Sequence, residues 1–341
     1  MPLTRVQCQR MVRILLAGFL AVALAAPALA DWRAERARGD DHYFNLEYDE
    51  AIAAYQRAID EQPAEASLYN HLANTILYQE LHRLGLLETS AFKGDNQFLG
   101  QEKPQPDPET GARFLEVLGK ARSLAEERLE KDERDTAALL SLSLNHGLEA
   151  NYQFMIEKSY FAALKNGSRA RKYSDQLMKV DPALVDPYLV AGVQEYVIGS
   201  LPWAVKMLVA IGGIRGSKEK GQEYVSRVAE EGERLRNEAR VLLTLLYRRE
   251  GRPLQAAKVL EGLIDEFPRN YVLRLELGSM YADAEQPRKA LEVFQNAQRM
   301  VHADEQRYGR MPERLRKALD RKVQTLLEHE RAELDQLSPR G

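Results

Sequence analysis

Six histidines are the residues best suited to metal binding or proton transfer in this chain, because imidazole ligates metals and titrates near neutral pH. They are His42, His71, His82, His146, His302 and His329. No two of them form the HExxH pattern that places two imidazoles on one helix face beside a catalytic glutamate. We therefore predict no metal site.

Other catalytic signatures are also missing from the sequence. The single cysteine, Cys8, lies near the N-terminus, ahead of an apolar run, and there is no GxSxG nucleophile motif. Paired acids such as Glu230 and Glu231 recur along the chain in the manner of solvated helix faces. These observations predict a protein that is not an enzyme and uses no cofactor.

One glycine-rich segment could in principle hold a phosphate group. Its glycines are followed by a hydroxyl and a basic residue; the residues concerned are Gly212, Gly213, Gly216, Ser217 and Lys218. A phosphate-binding loop of the GxxxxGK[ST] type has a different order and follows a strand, which the surrounding sequence does not predict. A phosphate site is the weakest of three interpretations of this segment.

The N-terminus has the three parts of a secretory signal. Basic residues (Arg5, Arg10, Arg13) precede an apolar run over 14–24, and the small-residue motif at 28–30 follows it. The alternative, an uncleaved anchor, is disfavoured because the run is alanine-rich, is followed by Pro27 and falls short of the roughly 20 apolar residues that span a bilayer. We expect residues 1–30 to be removed before Asp31 and the protein to be exported, periplasmic or secreted, from a bacterial cell.

Composition limits the partners of the mature chain. Residues 1–30 contain three arginines and no acids, so their removal changes the formal net charge from −3 to −6. Lysine and arginine are interspersed with acids rather than clustered, which argues against a nucleic-acid surface. The mature chain also loses Cys8 and must be held together by apolar packing instead of disulfides.

The elements that must carry any site are predicted by a 34-residue register that recurs from Trp32 to Asp304. In its first copy small residues, aromatic residues and a final proline alternate at Gly39, Tyr48, Ala51, Tyr55, Ala58 and Pro63. Small residues let two antiparallel helices approach, aromatic residues fill the space between hairpins, and proline ends the second helix. Residues 45–63 closely resemble a tetratricopeptide (TPR) repeat.

Two further copies of the register stand near the C-terminus. Leu243, Tyr247, Gly251, Ala256, Leu260 and Pro268 are followed 34 residues later by Leu277, Tyr281, Glu285, Ala290 and Phe294. The segments SLPWAVK and GIRGSKEKG in the middle of the chain are similar to exported bacterial TPR proteins without established activity. The resemblance implies stacked helical hairpins, because one hairpin cannot bury its own apolar face.

We therefore predict an all-α fold, a TPR-type right-handed solenoid over residues 31–305. It has about six hairpin units, near 32–65, 66–135, 136–184, 185–236, 237–270 and 271–304. Two insertions interrupt it, at 85–111 in the second unit, whose second helix is expected to resume near Ala121, and at 199–217 in the fourth. Residues 306–341 are expected to form a capping helix and a tail.

The second insertion allows three interpretations. It could form an extra helix that folds back on the repeats and fills the inner face of the solenoid. It could contact apolar ligands or a membrane surface through residues 201–214, with Trp203, Met207, Leu208 and Ile211 on one side. The phosphate loop considered above is the third.

The resemblance implies a function as well as a fold. TPR arrays bind partners along a concave face lined by their first helices. Within the first helices of units 1 and 2 we predict Arg36, Tyr43, Asn70, Asn74 and Tyr78 as the residues that contact a partner. We expect a peptide or protein partner there and a role as a scaffold or assembly factor of the cell envelope. The alternative is an apolar-ligand or membrane-surface binder that uses the second insertion, with a peripheral membrane contact.

Overall fold

The protein is described by a computed structural model over residues 31–87, 103–211 and 213–337, and within these ranges every regular element is helical. The predicted signal peptide and the middle of the first insertion lie outside the described residues. The α-helices are α1 (Trp32–Phe44), α2 (Tyr48–Glu61), α3 (Ala66–Leu84), α4 (Pro108–Lys131), α5 (Thr136–Tyr152), α6 (Tyr160–Val180), α7 (Tyr188–Gly199), α8 (Trp203–Ile211), α9 (Lys218–Glu231), α10 (Arg236–Arg249), α11 (Pro253–Glu266), α12 (Tyr271–Asp283), α13 (Pro287–His302) and α14 (Glu313–Leu337).

These helices pair as hairpins and the hairpins stack in sequence. The pairs in the described part of the chain are α1–α2, α3–α4, α5–α6, α7–α9, α10–α11 and α12–α13, and each second helix packs on the first helix of the next pair. We number these hairpins as units 1 to 6. The predicted all-α, TPR-type solenoid is confirmed. None of the described helices is both long and apolar enough to cross a membrane.

Glycine stands where the two helices of a hairpin approach each other closely, as the register predicts. In unit 1 the ring of Tyr55 lies against Gly39, where a Cβ atom would come within 2.5 Å of the ring. In unit 6 the ring of Phe294 covers Gly278 in the same way. Both rings are almost completely buried. A side chain at either glycine would push the two helices of the hairpin apart.

The second helix of unit 2 begins earlier than the sequence predicts. Helix α4 starts at Pro108, not near Ala121, because Asp107 caps it: the Asp107 carboxylate accepts a hydrogen bond from the backbone N–H of Thr110 at 2.8 Å. Proline suits the first position of a helix, where its missing N–H would have no partner. The prediction that 85–111 is all insertion is therefore wrong over its last residues.

Helix α14 covers the last hairpin as the predicted capping helix. Its apolar residues Leu315, Leu319 and Val323 are buried in one cluster with residues of both helices of unit 6, among them Val272 and Phe294. Its opposite side is largely exposed and charged. This polar outer face is what a terminal unit of a stacked array needs to remain soluble.

The two ends of the array contact each other, which the sequence does not predict. The rings of Phe44, at the turn of unit 1, and Phe267, between units 5 and 6, stack with centroids 4.7 Å apart. The Asn270 side-chain amide donates to the Phe44 carbonyl at 2.6 Å. The Tyr271 hydroxyl lies 2.9 Å from Nε2 of His82 in unit 2. The solenoid therefore curves back on itself, so that the turn of unit 1 touches the boundary between units 5 and 6, and we call this closed path the ring.

An ionic cluster, which we call the latch, completes this closure. At its centre the Glu47 side chain is fully buried, and its carboxylate accepts from Arg269 at 3.1 Å and from Arg307 at 2.6 Å. Arg269 also pairs with Asp41, and Arg310 donates to the Asn45 carbonyl. The latch consists of Asp41, Glu47, Glu50, Arg269, Arg307 and Arg310. It joins unit 1 to residues more than 200 positions later in the chain.

Candidate partner-binding surfaces

The inner face of the ring carries a polar cluster at units 1 and 2. Asp40 of α1 accepts a hydrogen bond from the Tyr55 hydroxyl at 2.6 Å. Its carboxylate also lies 3.8 Å from Arg36 and 3.5 Å from Nδ1 of His71. The Asp40 carboxylate thus neutralises the charge of Arg36, whereas a groove that binds a carboxylate needs an unneutralised positive charge. This end of the face is not built to hold a C-terminal carboxylate.

Three of the predicted contact residues, Tyr43, Asn74 and Tyr78, lie together near Arg36 and Asp40. The rings of Tyr43 and Tyr78 meet edge to face with centroids 5.7 Å apart, and the Asn74 side chain lies near Tyr43. The Asn151 side chain of α5 lies near Tyr78. Burial is the main cause that raises the pKa of both tyrosines above the usual value. They therefore present neutral hydroxyls and aromatic edges over the physiological pH range.

Glu238 of α10 faces the same group from unit 5. Its pKa is raised to about 8, first by burial inside the ring and then by the nearby charges of Asp40 and Asp186. The sequence alone does not single out Glu238, which stands near the start of the first helix of unit 5 as Arg33 does in unit 1. We call Arg36, Asp40, Tyr43, His71, Asn74, Tyr78, Asn151 and Glu238 the inner-face cluster.

Titration of Glu238 has a measurable consequence for stability. Because its pKa is raised in the folded chain, the folded state holds a proton between about pH 4.5 and 8 that the unfolded state has released, so stability falls as pH rises through this window. We expect Glu238→Gln to match the wild type near pH 4.5 and to exceed its stability at pH 9 by about 1–2 kcal/mol, a value discounted for partial exposure. Urea denaturation at both pH values checks this. A constant difference would contradict it.

Asn70 is not on the inner face, contrary to the prediction. Its side chain is buried between α3 and α5, where its amide donates to the Ser141 carbonyl and hydroxyl, both at 2.9 Å. Its side-chain oxygen accepts from Asn145 at 3.0 Å. These hydrogen bonds join unit 2 to unit 3, so Asn70 is a structural residue and cannot contact a partner.

Alanine substitutions at Asn70 and Asn74 should have different effects on stability. We expect Asn70→Ala to lower the free energy of unfolding by about 1–3 kcal/mol, because buried groups of Ser141 and Asn145 lose their partner. Asn74→Ala should change it by less than about 1 kcal/mol, because Asn74 is half-buried at the inner face. Thermal or urea unfolding of the two variants beside the wild type measures the difference. Equal losses would show that Asn74 is as structural as Asn70.

The second insertion is exposed instead of filling the ring. The side chains of Trp203 and Ile211 on α8 are 79% and 83% exposed, and Met207 is 54% exposed. The interpretation in which this helix folds back to fill the inner face is therefore wrong for these three residues. The side chain of Leu208, the fourth predicted contact, lies outside the described residues.

Gly216, at the end of this insertion, and Gly221 pack helices together, whereas Gly212 of the phosphate-loop interpretation lies outside the described residues. A Cβ atom at Gly216 would lie 2.6 Å from the Glu195 carbonyl oxygen, and one at Gly221 would lie 2.5 Å from the backbone nitrogen of Tyr196. The hydroxyl of Ser217 caps α9 by accepting from the Lys220 N–H at 3.2 Å. Gly216 and Gly221 thus let α9 lie directly against α7.

One group of possible metal ligands occurs among the described residues, at Asp41, His42 and Glu47, whose ligand atoms lie within 4.8 Å of one another. Both carboxylates already accept from Arg269, and Glu47 also accepts from Arg307. Asp41 and Glu47 belong to the latch, where arginines supply the positive charge that a cation would bring.

Comparison with known proteins gives structural matches of low similarity. No family model and no curated protein matches the chain. The TPR protein TTC0263 of Thermus thermophilus is 16% identical, with a TM-score of 0.40 over 74% of this chain and 99% of that one. A TPR protein of Parabacteroides merdae is 11% identical, with a TM-score of 0.32 over 87% and 98% of the two chains. Yeast Tom70 is 12% identical, with a TM-score of 0.29 over 90% and 92%.

Proposed function

We propose that this protein is a non-enzymatic scaffold or assembly factor of the cell envelope that binds a peptide or protein partner on the inner face of its ring. The observation that carries the proposal is the convergence of Tyr43, Asn74 and Tyr78 from two units on one face. Aromatic rings with polar tips give large contact areas at a low cost in side-chain entropy. Such residues are suited to peptide recognition.

The charges of the inner-face cluster define the partner further. Arg36 is neutralised by Asp40, and Glu238 is largely protonated at neutral pH. The face therefore offers hydroxyl and amide groups with a weakly acidic background, and a neutral or basic peptide segment fits it better than an acidic one.

Capture of the partner inside the native cells tests this proposal. We would crosslink cells that produce the wild type or an Asn74→Ala/Tyr78→Phe variant and identify the products by mass spectrometry. Gln56→Ala is the matched control, because Gln56 is exposed on α2 and bonds only Asp60 of its own helix. A partner lost only in the double variant, with unchanged melting temperature, supports the proposal. A partner captured equally by all three proteins contradicts it.

Export is part of the same proposal and has its own support. Asp31, the first residue after the proposed cleavage, caps α1, and its carboxylate accepts from the Arg33 N–H at 3.0 Å. Cleavage before Asp31 would leave this capping residue in place at the new N-terminus. N-terminal sequencing of protein recovered outside the cytoplasm tests it, and a chain that retains residues 1–30 would refute it.

A second candidate function, binding of apolar ligands or a membrane surface by residues 201–214, is favoured by a separate observation. Large apolar side chains are rarely so exposed next to one another, and the group formed by Trp203, Met207 and Ile211 marks an interaction surface. Flotation of wild type and Trp203→Asp with liposomes tests this candidate. No difference between the two proteins would refute it.

A further inference from the structure

The exposed apolar side chains lie at one edge of the ring. In each hairpin the two helices are antiparallel, so the turns that connect the first helix to the second all lie at the same edge of a stacked array. We call this the turn edge. In units 3 to 5 it is formed by residues 152–165, 200–220 and 249–254, which include the start of α6, all of α8 and the start of α11.

Apolar exposure at the turn edge extends beyond the second insertion. Phe161, in the first turn of α6, is 91% exposed, more than Trp203 or Ile211. Leu254 at the start of α11 is 50% exposed. Three consecutive units thus present large apolar side chains to solvent at one edge. Monomeric proteins seldom leave such a group without a partner.

Charge is distributed unequally between the two edges. The turn-edge segments of units 3 to 5 contain eight lysines and arginines and three acids. The opposite edge of the same units, at 179–187, 229–237 and 264–270, contains four basic residues and seven acids. The turn edge of units 3 to 5 is thus basic although the chain is acidic overall, and the same edge carries the exposed apolar groups.

We infer that the turn edge of units 3 to 5 docks on the surface of an anionic lipid bilayer. Exposed aromatic and aliphatic side chains would enter the headgroup region, while Lys165, Lys206 and Arg215 would lie near the lipid phosphates. Helix α8 has nine residues and a length of about 13 Å, so it can lie in the interface but cannot span it. The acidic opposite edge would face away from the membrane.

This inference deepens the second candidate function by naming the lipid class and by adding units 3 and 5 to the contact. It does not depend on the inner-face proposal, because Tyr43 and Asn74 belong to units 1 and 2. The two proposals also differ in their critical residues, so one can fail without the other.

Flotation of the mature chain, residues 31–341, with two kinds of vesicle tests the inference. One kind contains phosphatidylcholine alone and the other contains 30 mol% phosphatidylglycerol as well. We expect at least tenfold tighter binding to the anionic vesicles and weaker binding as salt rises. Phe161→Asp, Trp203→Asp and the double charge reversal Lys165→Glu/Arg215→Glu should each reduce binding at least tenfold.

The matched control is Leu115→Asp, because Leu115 is 46% exposed on α4 in unit 2, outside the proposed contact. It should bind like the wild type, and all variants should keep the wild-type melting temperature because the substituted side chains are exposed. Equal binding to both vesicles, or loss in Trp203→Asp without loss in Phe161→Asp and the charge reversal, overturns the inference but retains the second candidate. Absence of binding to either vesicle overturns both.

Discussion

Replacing Glu47 by glutamine is expected to open the ring and to lower the free energy of unfolding by about 3 kcal/mol. Breaking a buried ion pair typically lowers the free energy of unfolding by about 3–5 kcal/mol. We expect the lower end of this range because the arginines that face Glu47 remain partly exposed. Without the negative charge, Arg269, Arg307 and Arg310 would repel one another at the contact between the two ends. The radius of gyration from small-angle X-ray scattering should therefore increase.

Glu50→Gln is the control for this experiment, because Glu50 bonds only Arg307 and is 41% exposed. Glu50→Gln should lower the free energy of unfolding by no more than about 1 kcal/mol.

The pH dependence of the Glu47→Gln effect adds a second check. Burial alone would raise the pKa of Glu47, but hydrogen bonds from His42 and Arg269 and the arginine charges hold it below the usual value. Its contribution is thus present at neutral pH and is lost in acid, where wild type and variant should converge. An unchanged radius with a normal melting temperature would show that the latch does not hold the ends together.

Gly221→Ala is expected to be among the most damaging glycine-to-alanine changes in the described part of the chain. The added Cβ would meet the backbone nitrogen of Tyr196 at 2.5 Å and the Gly192 carbonyl oxygen at 2.7 Å. Backbone atoms cannot move aside as a side chain can, so the loss should reach the upper part of the about 1–3 kcal/mol typical of overpacking. Thermal unfolding followed by circular dichroism measures it.

The opposite result is expected for Gly119→Ala, which makes the same chemical change within α4. Apart from its chain neighbours and the backbone of its own helix, no atom lies within 4 Å of a Cβ at that position. Alanine should then stabilise the helix by up to about 1 kcal/mol through its higher helix propensity. Similar effects of the two substitutions would mean that α7 and α9 are not in close contact at Gly221.

The hairpins could be predicted because their signals are local. The glycine and the aromatic ring that cover each other, Gly39 with Tyr55 and Gly278 with Phe294, lie 16 residues apart in both units. Such a spacing is visible in a sequence. The start of α4 does not follow from the register, which resumes only near Ala121, because it is set by a local cap at Asp107 and Pro108 that lies outside the repeat pattern.

The site was harder to predict because it depends on neighbouring units. Asn70 and Asn74 both occupy positions that TPR repeats direct to the concave face, yet Ser141 and Asn145 of the next unit reach only the first of them. Glu238 approaches Tyr43 only because the array closes. That closure depends on the curvature summed over all units, and no local pattern encodes it.

The contact between the first and last units also changes how the chain folds. Open repeat arrays gain stability unit by unit, and folding can begin anywhere, because each repeat touches only its neighbours. Here the bond between Arg269 and Glu47 joins positions 222 residues apart. Such a contact carries a loop-closure entropy cost that adjacent repeats do not have. Ring closure should thus be a late folding step, and deleting either terminal hairpin would weaken both ends of the chain together.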